Sequence, residues 1–272
     1  MVRVLLTNDD GIGASGLQAL RRALLDVSDV ELAVIAPDSN RSATARSITT
    51  RRPLSVTELT FEDGTLGYAC DGTPVDCVKF ATLGLIEGFE PDVIVSGINH
   101  GSNLGDDITY SGTVAAALEG VVLGMPGIAV SQQSAAREMD FRLGEAFDFE
   151  AAAAFTARLV SELDDVPLPS GTLLNINVPA GDPDGVEVTR LGKRIYRDEL
   201  MLLEEDSGRR RYRIYGDQPS YEHEAGTDLA AVAEGRVAVT PLHFDLTAEH
   251  GLENLRAYDL ARLLLPAAQE LE

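Results

Sequence analysis

The chain has no tryptophan, only two cysteines, only two lysines, and no uninterrupted apolar run of 18 residues. A membrane-spanning helix needs an apolar run of about that length, so no membrane span is expected. Cys70 and Cys77 form neither a disulfide framework nor a zinc-ligand pattern, and read as free, mostly buried thiols. The N-terminus enters a strand directly, without the charged and apolar regions of a signal peptide, so a cytoplasmic location is expected. Lys79 and Lys193 stand against 20 arginines, and the net charge is −22. Acidity spread along the whole chain argues against a basic nucleic-acid groove. It resembles the surfaces of proteins from salt-loving organisms, where high salt screens the self-repulsion. A small phosphorylated substrate stays compatible if its pocket is locally positive.

What is present is a long chain, 272 residues at 44% hydrophobic content, enough for one large α/β domain with or without an appended subdomain. Val2-Arg3-Val4-Leu5-Leu6-Thr7 is a short apolar run that reads as a buried strand. A helix over Leu17–Leu25 and a strand over Val30–Ala36 complete a right-handed βαβ unit. Residues 47–70 read as short strands or hairpins, and Thr73-Pro74 as the cap and first turn of a helix reaching about Leu85. Strands are expected at 91–98, 127–131 and 173–178, and helices at 111–123 and 147–163. Alternation of this kind predicts an α/β fold: Rossmann-like, three-layer α/β/α, with a mainly parallel sheet over residues 1–180. Residues 181–272 read as a C-terminal part with strands at 186–191 and 209–215, a last core strand at 236–241 and an amphipathic helix over Asn254–Leu265. The excursion over 181–235, carrying a β-hairpin, is a usual place for oligomer contacts.

In open α/β sheets ligands bind beyond the carboxyl ends of the strands. Three such ends are rich in oxygen donors: Asn8-Asp9-Asp10, Asn40-Arg41-Ser42 and Asn99. Two adjacent carboxylates at a buried strand end are unfavourable without a cation between them. Carboxylate, hydroxyl and amide oxygens suit Mg²⁺, Mn²⁺ or Ca²⁺ rather than zinc. Ser111-Gly112-Thr113 opens a helix whose free N–H groups could face an anion, or act simply as a cap. His100, beside Asn99, is a candidate for a catalytic or phosphate-contacting role, while His223, His243 and His250 read as surface or interface residues.

Two motifs compete with this reading. Gly11-Ile12-Gly13-Ala14-Ser15-Gly16 spells the dinucleotide fingerprint, with Asp38 near the end of the second strand. Asp9 and Asp10 would confront a pyrophosphate with two negative charges, which weighs against NAD. Asp71-Gly72-Thr73 resembles part of an aspartyl-phosphatase motif, but Ala69 stands where the nucleophile would be.

Taken in order, Leu-Leu-Thr-Asn-Asp-Asp-Gly-Ile (5–12), Ala-Pro-Asp-Ser-Asn-Arg-Ser-Ala (36–43), Ser-Ile-Thr (47–49), Gly-Thr-Pro-Val-Asp-Cys-Val (72–78), Val-Ser-Gly-Ile-Asn-His-Gly-Ser-Asn (95–103) and Tyr-Ser-Gly-Thr-Val-Ala-Ala-Ala-Leu-Glu-Gly (110–120) resemble the SurE family of stationary-phase survival proteins. Val-Thr-Pro-Leu (239–242) and Asp-Leu-Thr (245–247) are similar to its closing pattern. The resemblance implies a metal-dependent phosphomonoesterase that hydrolyses nucleoside monophosphates as a 5′-nucleotidase, with 3′-nucleotidase and exopolyphosphatase activity also known in the family. It implies one divalent ion, Mg²⁺ or Mn²⁺, on Asp9, Asp10, Ser42 and Asn99, with Asp9 and Asp10 the catalytic pair. Asn103, Ser111, Gly112 and Thr113 are the expected phosphate contacts, and a homodimer or homotetramer the expected assembly. One departure is Ala43-Thr44-Ala45, where the family frequently has glycine; the change is expected to be tolerated. A non-catalytic nucleotide sensor and an NAD-dependent oxidoreductase remain as alternatives.

Overall fold

The first strand, β1 (Val2–Thr7), is covered on both faces: Val4 and Leu6 join one hydrophobic cluster and Leu5 the other. A strand buried twice has no reason to alternate with polar residues, hence its continuous apolar spelling. The computed structural model describes residues 1–139, 146–195, 200–214 and 220–264. After β1 come α1 (Ser15–Leu25), β2 (Val30–Pro37), the hairpin β3 (Val56–Thr60) and β4 (Leu66–Cys70), and α2 (Pro74–Thr82). The middle of the chain holds β5 (Val93–His100), α3 (Gly112–Val122), β6 (Gly127–Gln132), α4 (Glu150–Ser161) and β7 (Thr172–Val178). Beyond it lie β8 (Val186–Val188), β9 (Arg194–Ile195), β10 (Met201–Asp206), β11 (Arg209–Arg213), β12 (Ser220–Tyr221), α5 (Asp228–Ala233), β13 (Val237–His243) and α6 (Glu249–Arg256).

Nine strands form one sheet in the order β3-β4-β2-β1-β5-β6-β7-β13-β8. From β4 through β7 every neighbour is parallel; β3 and β13 run antiparallel to β4 and β7. α1 and α4 pack together over one face, and α2 and α3 over the other, giving the expected three-layer α/β/α architecture. The chain moves from β1 to β2 on one side and later returns to β5 on the other. The carboxyl ends of β1 and β5 therefore flank the topological switch point, where a crevice opens.

Several elements differ from expectation. β5 continues through Asn99 and His100, so both lie on the strand rather than in the following loop; its pairing with β6 shifts register between Ser96 and Asn99. α2 stops at Thr82, where Gly84 turns the chain with φ +89°. α4 starts at Glu150, leaving Phe147 and Phe149 ahead of it. α5 is a one-and-a-half-turn helix that the polar sequence around it concealed. The strand at Val186–Val188 joins the main sheet through β13. The last helix is displaced to Glu249–Arg256, followed by a 3-10 turn at Leu260–Leu264; Tyr215 and Leu265 lie outside the described residues. The hairpin expected in the excursion is β10–β11, which stands apart from the main sheet.

Candidate metal centre

The turn after β1 is stapled by Asn8, whose amide donates to the Gly11 carbonyl (3.0 Å) and accepts the Gly11 N–H (3.2 Å). Gly11 has φ +106°, a conformation that favours glycine. This turn aims two consecutive carboxylates at the crevice. Asp9 is 3% exposed, and its Oδ1 accepts the Thr113 hydroxyl at 2.5 Å. The N–H groups of Asp9 itself and of Gly112 also donate to it. A side chain at Gly112 would put a Cβ 2.8 Å from Asp9 Oδ2, so only glycine lets the start of α3 sit against this carboxylate. Burial and the Asp10 charge nevertheless outweigh those donors and push Asp9 up to about 6 from an ordinary 3.8.

Asp10 is held from three directions. Its Oδ2 accepts the His100 backbone N–H (3.1 Å) and lies 2.8 Å from His100 Nδ1, while its Oδ1 accepts the Asn40 amide (3.1 Å). Asn40 in turn accepts the Ser42 N–H through its amide oxygen (2.8 Å). The Arg41 N–H donates to the Asp9 carbonyl at 2.6 Å. Two short ties thus bring the loop after β2, with the exposed Ser42, up to the end of β1. On β5, the Asn99 amide donates to the Gly101 carbonyl (2.7 Å), and among the described residues nothing donates to its amide oxygen. Two acidic side chains, one hydroxyl and one open amide oxygen make a donor set of hard oxygens. Burial first and the Asp10 charge second raise the Asp9 carboxyl, and a bound cation would oppose both effects. Hard oxygens of this kind fit a divalent ion such as Mg²⁺ or Mn²⁺; among the described residues no group of three or more His, Cys, Asp and Glu could hold a metal ion, so an ion here would depend on the serine hydroxyl and the asparagine amide as well as the two aspartates.

The expected phosphate contacts lie on the same side. Asn103 is buried in a polar network: its N–H donates to Asn177 Oδ1, its carbonyl accepts the Asn175 and Asn177 amides, and its own amide donates to Ser131. That leaves one amide proton of Asn103 uncommitted. Ser111 caps α3, accepting the Val114 N–H at 3.1 Å. Thr113 and Gly112 are directed at Asp9, so the helix start faces the carboxylate pair as well as the crevice.

The glycines of the dinucleotide-like motif have other duties. A Cβ at Gly16 would lie 2.1 Å from the Ile98 carbonyl oxygen, so this glycine permits α1 to press on β5, while Gly13 faces open space. Asp38 is paired with Arg41 (2.9 Å). Thr73 forms a capping box with Asp76, which accounts for the phosphatase-like spelling. Asn40 stands in one of the three oxygen-rich strand ends, but its tie to Asp10 carries no signal in the sequence, and neither does the contact of Ser15 with His100 Nε2 at 2.9 Å.

Residues 4–198 match the family model described as "Survival protein SurE". A protein of Rubrobacter xylanophilus named 5′-nucleotidase SurE is 51% identical over 268 residues, covering 97% of this chain and 100% of its own length. One of Chloroflexus aggregans with the same name is 47% identical over 94% of this chain and 98% of its own. The crystal structure of the SurE protein from Aquifex aeolicus superposes with a TM-score of 0.76 at 36% identity, covering 93% of this chain and 98% of that one.

Proposed function

Because the chain belongs to the SurE family, we propose that it is a 5′-nucleotidase, which hydrolyses nucleoside 5′-monophosphates to nucleoside and phosphate. The observation that carries this reading is near-full-length identity of 42–51% to relatives named for that activity. The oxygen-lined crevice at the switch point supports it. Asp9, Asp10, Ser42 and Asn99 would hold one divalent ion, Mg²⁺ or Mn²⁺. Such an ion, when bound, neutralises phosphate charge and lowers the pKa of an attacking water. Thr113 and Gly112 fix Asp9, and Asn40 links Asp10 to the Ser42 loop, so these contacts set the ligands before substrate arrives. Asn103, with a spare amide proton, the Ser111 hydroxyl and the Thr113 N–H would orient phosphate oxygens, the Gly112 N–H and the Thr113 hydroxyl being taken up by Asp9.

We extend the reading to 3′-nucleotides and terminal phosphates of polyphosphate on the family resemblance alone. We place the protein in the cytoplasm, on the support of two free thiols, Cys70 and Cys77. No helix among the described residues is long and apolar enough to cross a membrane. Self-association as a dimer or tetramer is supported by exposed Met201, Leu202, Leu203 and Tyr212 on the β10–β11 hairpin.

Phosphate release from AMP tests the central reading. Activity with Mn²⁺ or Mg²⁺ is expected to vanish with EDTA and to return with excess metal, and Asp9→Asn is expected to lower kcat by at least about 100-fold. Full turnover in EDTA, or by Asp9→Asn, would remove the metal mechanism.

A further inference from the structure

We propose that His100 is a positioning residue for Asp10, leaving a single carboxylate oxygen, Oδ1, to a divalent cation, with Ser15 fixing the ring. The inference rests on the reading of Asp10 as a metal ligand. Both ring nitrogens of His100 are engaged: Nδ1 lies 2.8 Å from Asp10 Oδ2 and Nε2 lies 2.9 Å from Ser15 Oγ. The ring meets Phe147 and Phe149 edge-on, with centroids at 5.2 and 5.0 Å and interplanar angles of 81° and 89°. Those two phenyl rings stack on each other at 5.7 Å. Packing and hydrogen bonds therefore leave the imidazole one orientation.

The partners also assign the ring's contacts: a carboxylate oxygen accepts, so Nδ1 is the donor to Asp10, while Nε2 contacts the Ser15 hydroxyl. Oδ2 of Asp10 then has two donors, the ring and the His100 backbone N–H, which fill its two lone-pair directions. Oδ1 has one donor, Asn40, and one direction left open. The terminal torsion of an aspartate is broad and two-fold, so the side chain alone does not choose which oxygen it offers. His100 makes that choice, and the bond spans 90 residues, joining the ends of β1 and β5 across the switch point.

The test is a Mn²⁺ titration of the full chain, read from the paramagnetic resonance signal of free Mn²⁺, on wild type, Asp10→Asn, His100→Phe, His100→Asn and Ser15→Ala. His100→Phe keeps an aromatic ring against Phe147 and Phe149 but removes both nitrogens. It is expected to bind Mn²⁺ roughly 10–100-fold more weakly, the usual loss when a partner of a metal ligand is removed. His100→Asn restores an N–H donor near the place of Nδ1 and is expected to recover most of that loss, with Ser15→Ala intermediate. In AMP turnover the His100→Phe deficit is expected in the Mn²⁺ concentration giving half-maximal rate, with kcat at saturating Mn²⁺ within a few-fold of wild type. Wild-type Mn²⁺ affinity in His100→Phe overturns the inference. So does weak binding that His100→Asn leaves unrelieved, since packing and not the hydrogen bond would then be at work. Equal Mn²⁺ affinity in wild type and Asp10→Asn instead brings down the metal-ligand reading itself, and this inference with it.

Discussion

A carboxylate that is 3% exposed and has a second carboxylate as its chain neighbour is in surroundings that favour its neutral form. The Thr113 hydroxyl and two N–H groups moderate the effect without cancelling it, and Asp9 ends at about 6 against 3.8 in an unfolded chain. Between those two values the folded protein binds a proton that the unfolded chain has released. Without metal, stability is therefore full below about pH 4, falls as pH rises, and levels off above pH 6, a loss of about 3 kcal/mol from this one group. Asp9→Asn removes the charge and keeps an acceptor for Thr113. Urea unfolding in EDTA at pH 7 is expected to find this variant more stable than wild type, by up to that same amount, with the difference disappearing at pH 4. A less stable variant at pH 7 would mean that the carboxylate is already compensated. Metal affinity should follow the opposite course, strengthening as pH rises through 6 because the bound form is the carboxylate. The residue that chemistry needs is thus one that folding disfavours.

At the scale of elements, the loop between β2 and β3 shows how a mobile kind of segment is made rigid. Arg41 reaches the Asp71 and Gly72 carbonyls (3.3 and 3.2 Å), and Thr73 donates its hydroxyl to the Ser47 carbonyl (2.8 Å). Arg46 binds Glu119 at 2.5 Å, and Lys79 binds the same buried carboxylate at 2.6 Å. Burial opposes the charge on Glu119, but Lys79 and Arg46 outweigh it and hold the group below its ordinary value. The loop is fixed so firmly that Ala43 and Ala45 sit at φ +58° and +51°, a region costing a non-glycine residue about 1–2 kcal/mol. Ala43→Gly is expected to raise the free energy of unfolding, read by urea titration, by up to about 1 kcal/mol after glycine's extra chain entropy is counted. Destabilisation on that change would show that the alanine methyl makes a contact worth more than the strain. Ala43 and Ala45 thus hold a conformation that glycine would adopt with less strain.

What the sequence revealed and concealed divides along the same lines. The parallel strands were legible because burial on both faces writes continuous apolar runs, as in Val4-Leu5-Leu6 and Val93-Ile94-Val95. The three oxygen-rich strand ends were legible because polar residues stop those runs abruptly. Ends and insertions were not: β5 carries Asn99 and His100 two residues past its apolar stretch, and α5 buries Leu229 and Val232 in too few turns for a period to show. The ties within the site, Asn40 to Asp10 and Ser15 to His100, span 30 and 85 residues and leave no local pattern.

For the whole molecule, a net charge of −22 is a self-repulsion that ions screen. We propose adaptation to a salty medium, supported by the scarcity of lysine as well as by the charge. The unfolding midpoint is expected to rise with KCl from 0.1 to 2 M, while the Asp9→Asn difference changes little because that pair is buried. Light scattering on the same samples reads the assembly: a monomer at all salt concentrations would remove the proposed dimer or tetramer. A midpoint that falls with KCl would mean that surface ion pairs such as Arg210–Glu205 and Arg211–Glu204 outweigh the repulsion.

The central place of β1 has a further consequence, for the order of events on the ribosome. The strand is made before both of its partners, meets β2 about 25 residues later, and waits for β5 until residue 93 and beyond. At 5–20 residues per second that wait is roughly 5–20 s, during which one edge of this apolar strand stands open. Asp9 meets Thr113 later still, 104 residues downstream. The crevice is therefore among the last features of its half of the chain to close, and a nascent chain that has not yet reached Thr113, however well its first βαβ unit has formed, has no site to occupy.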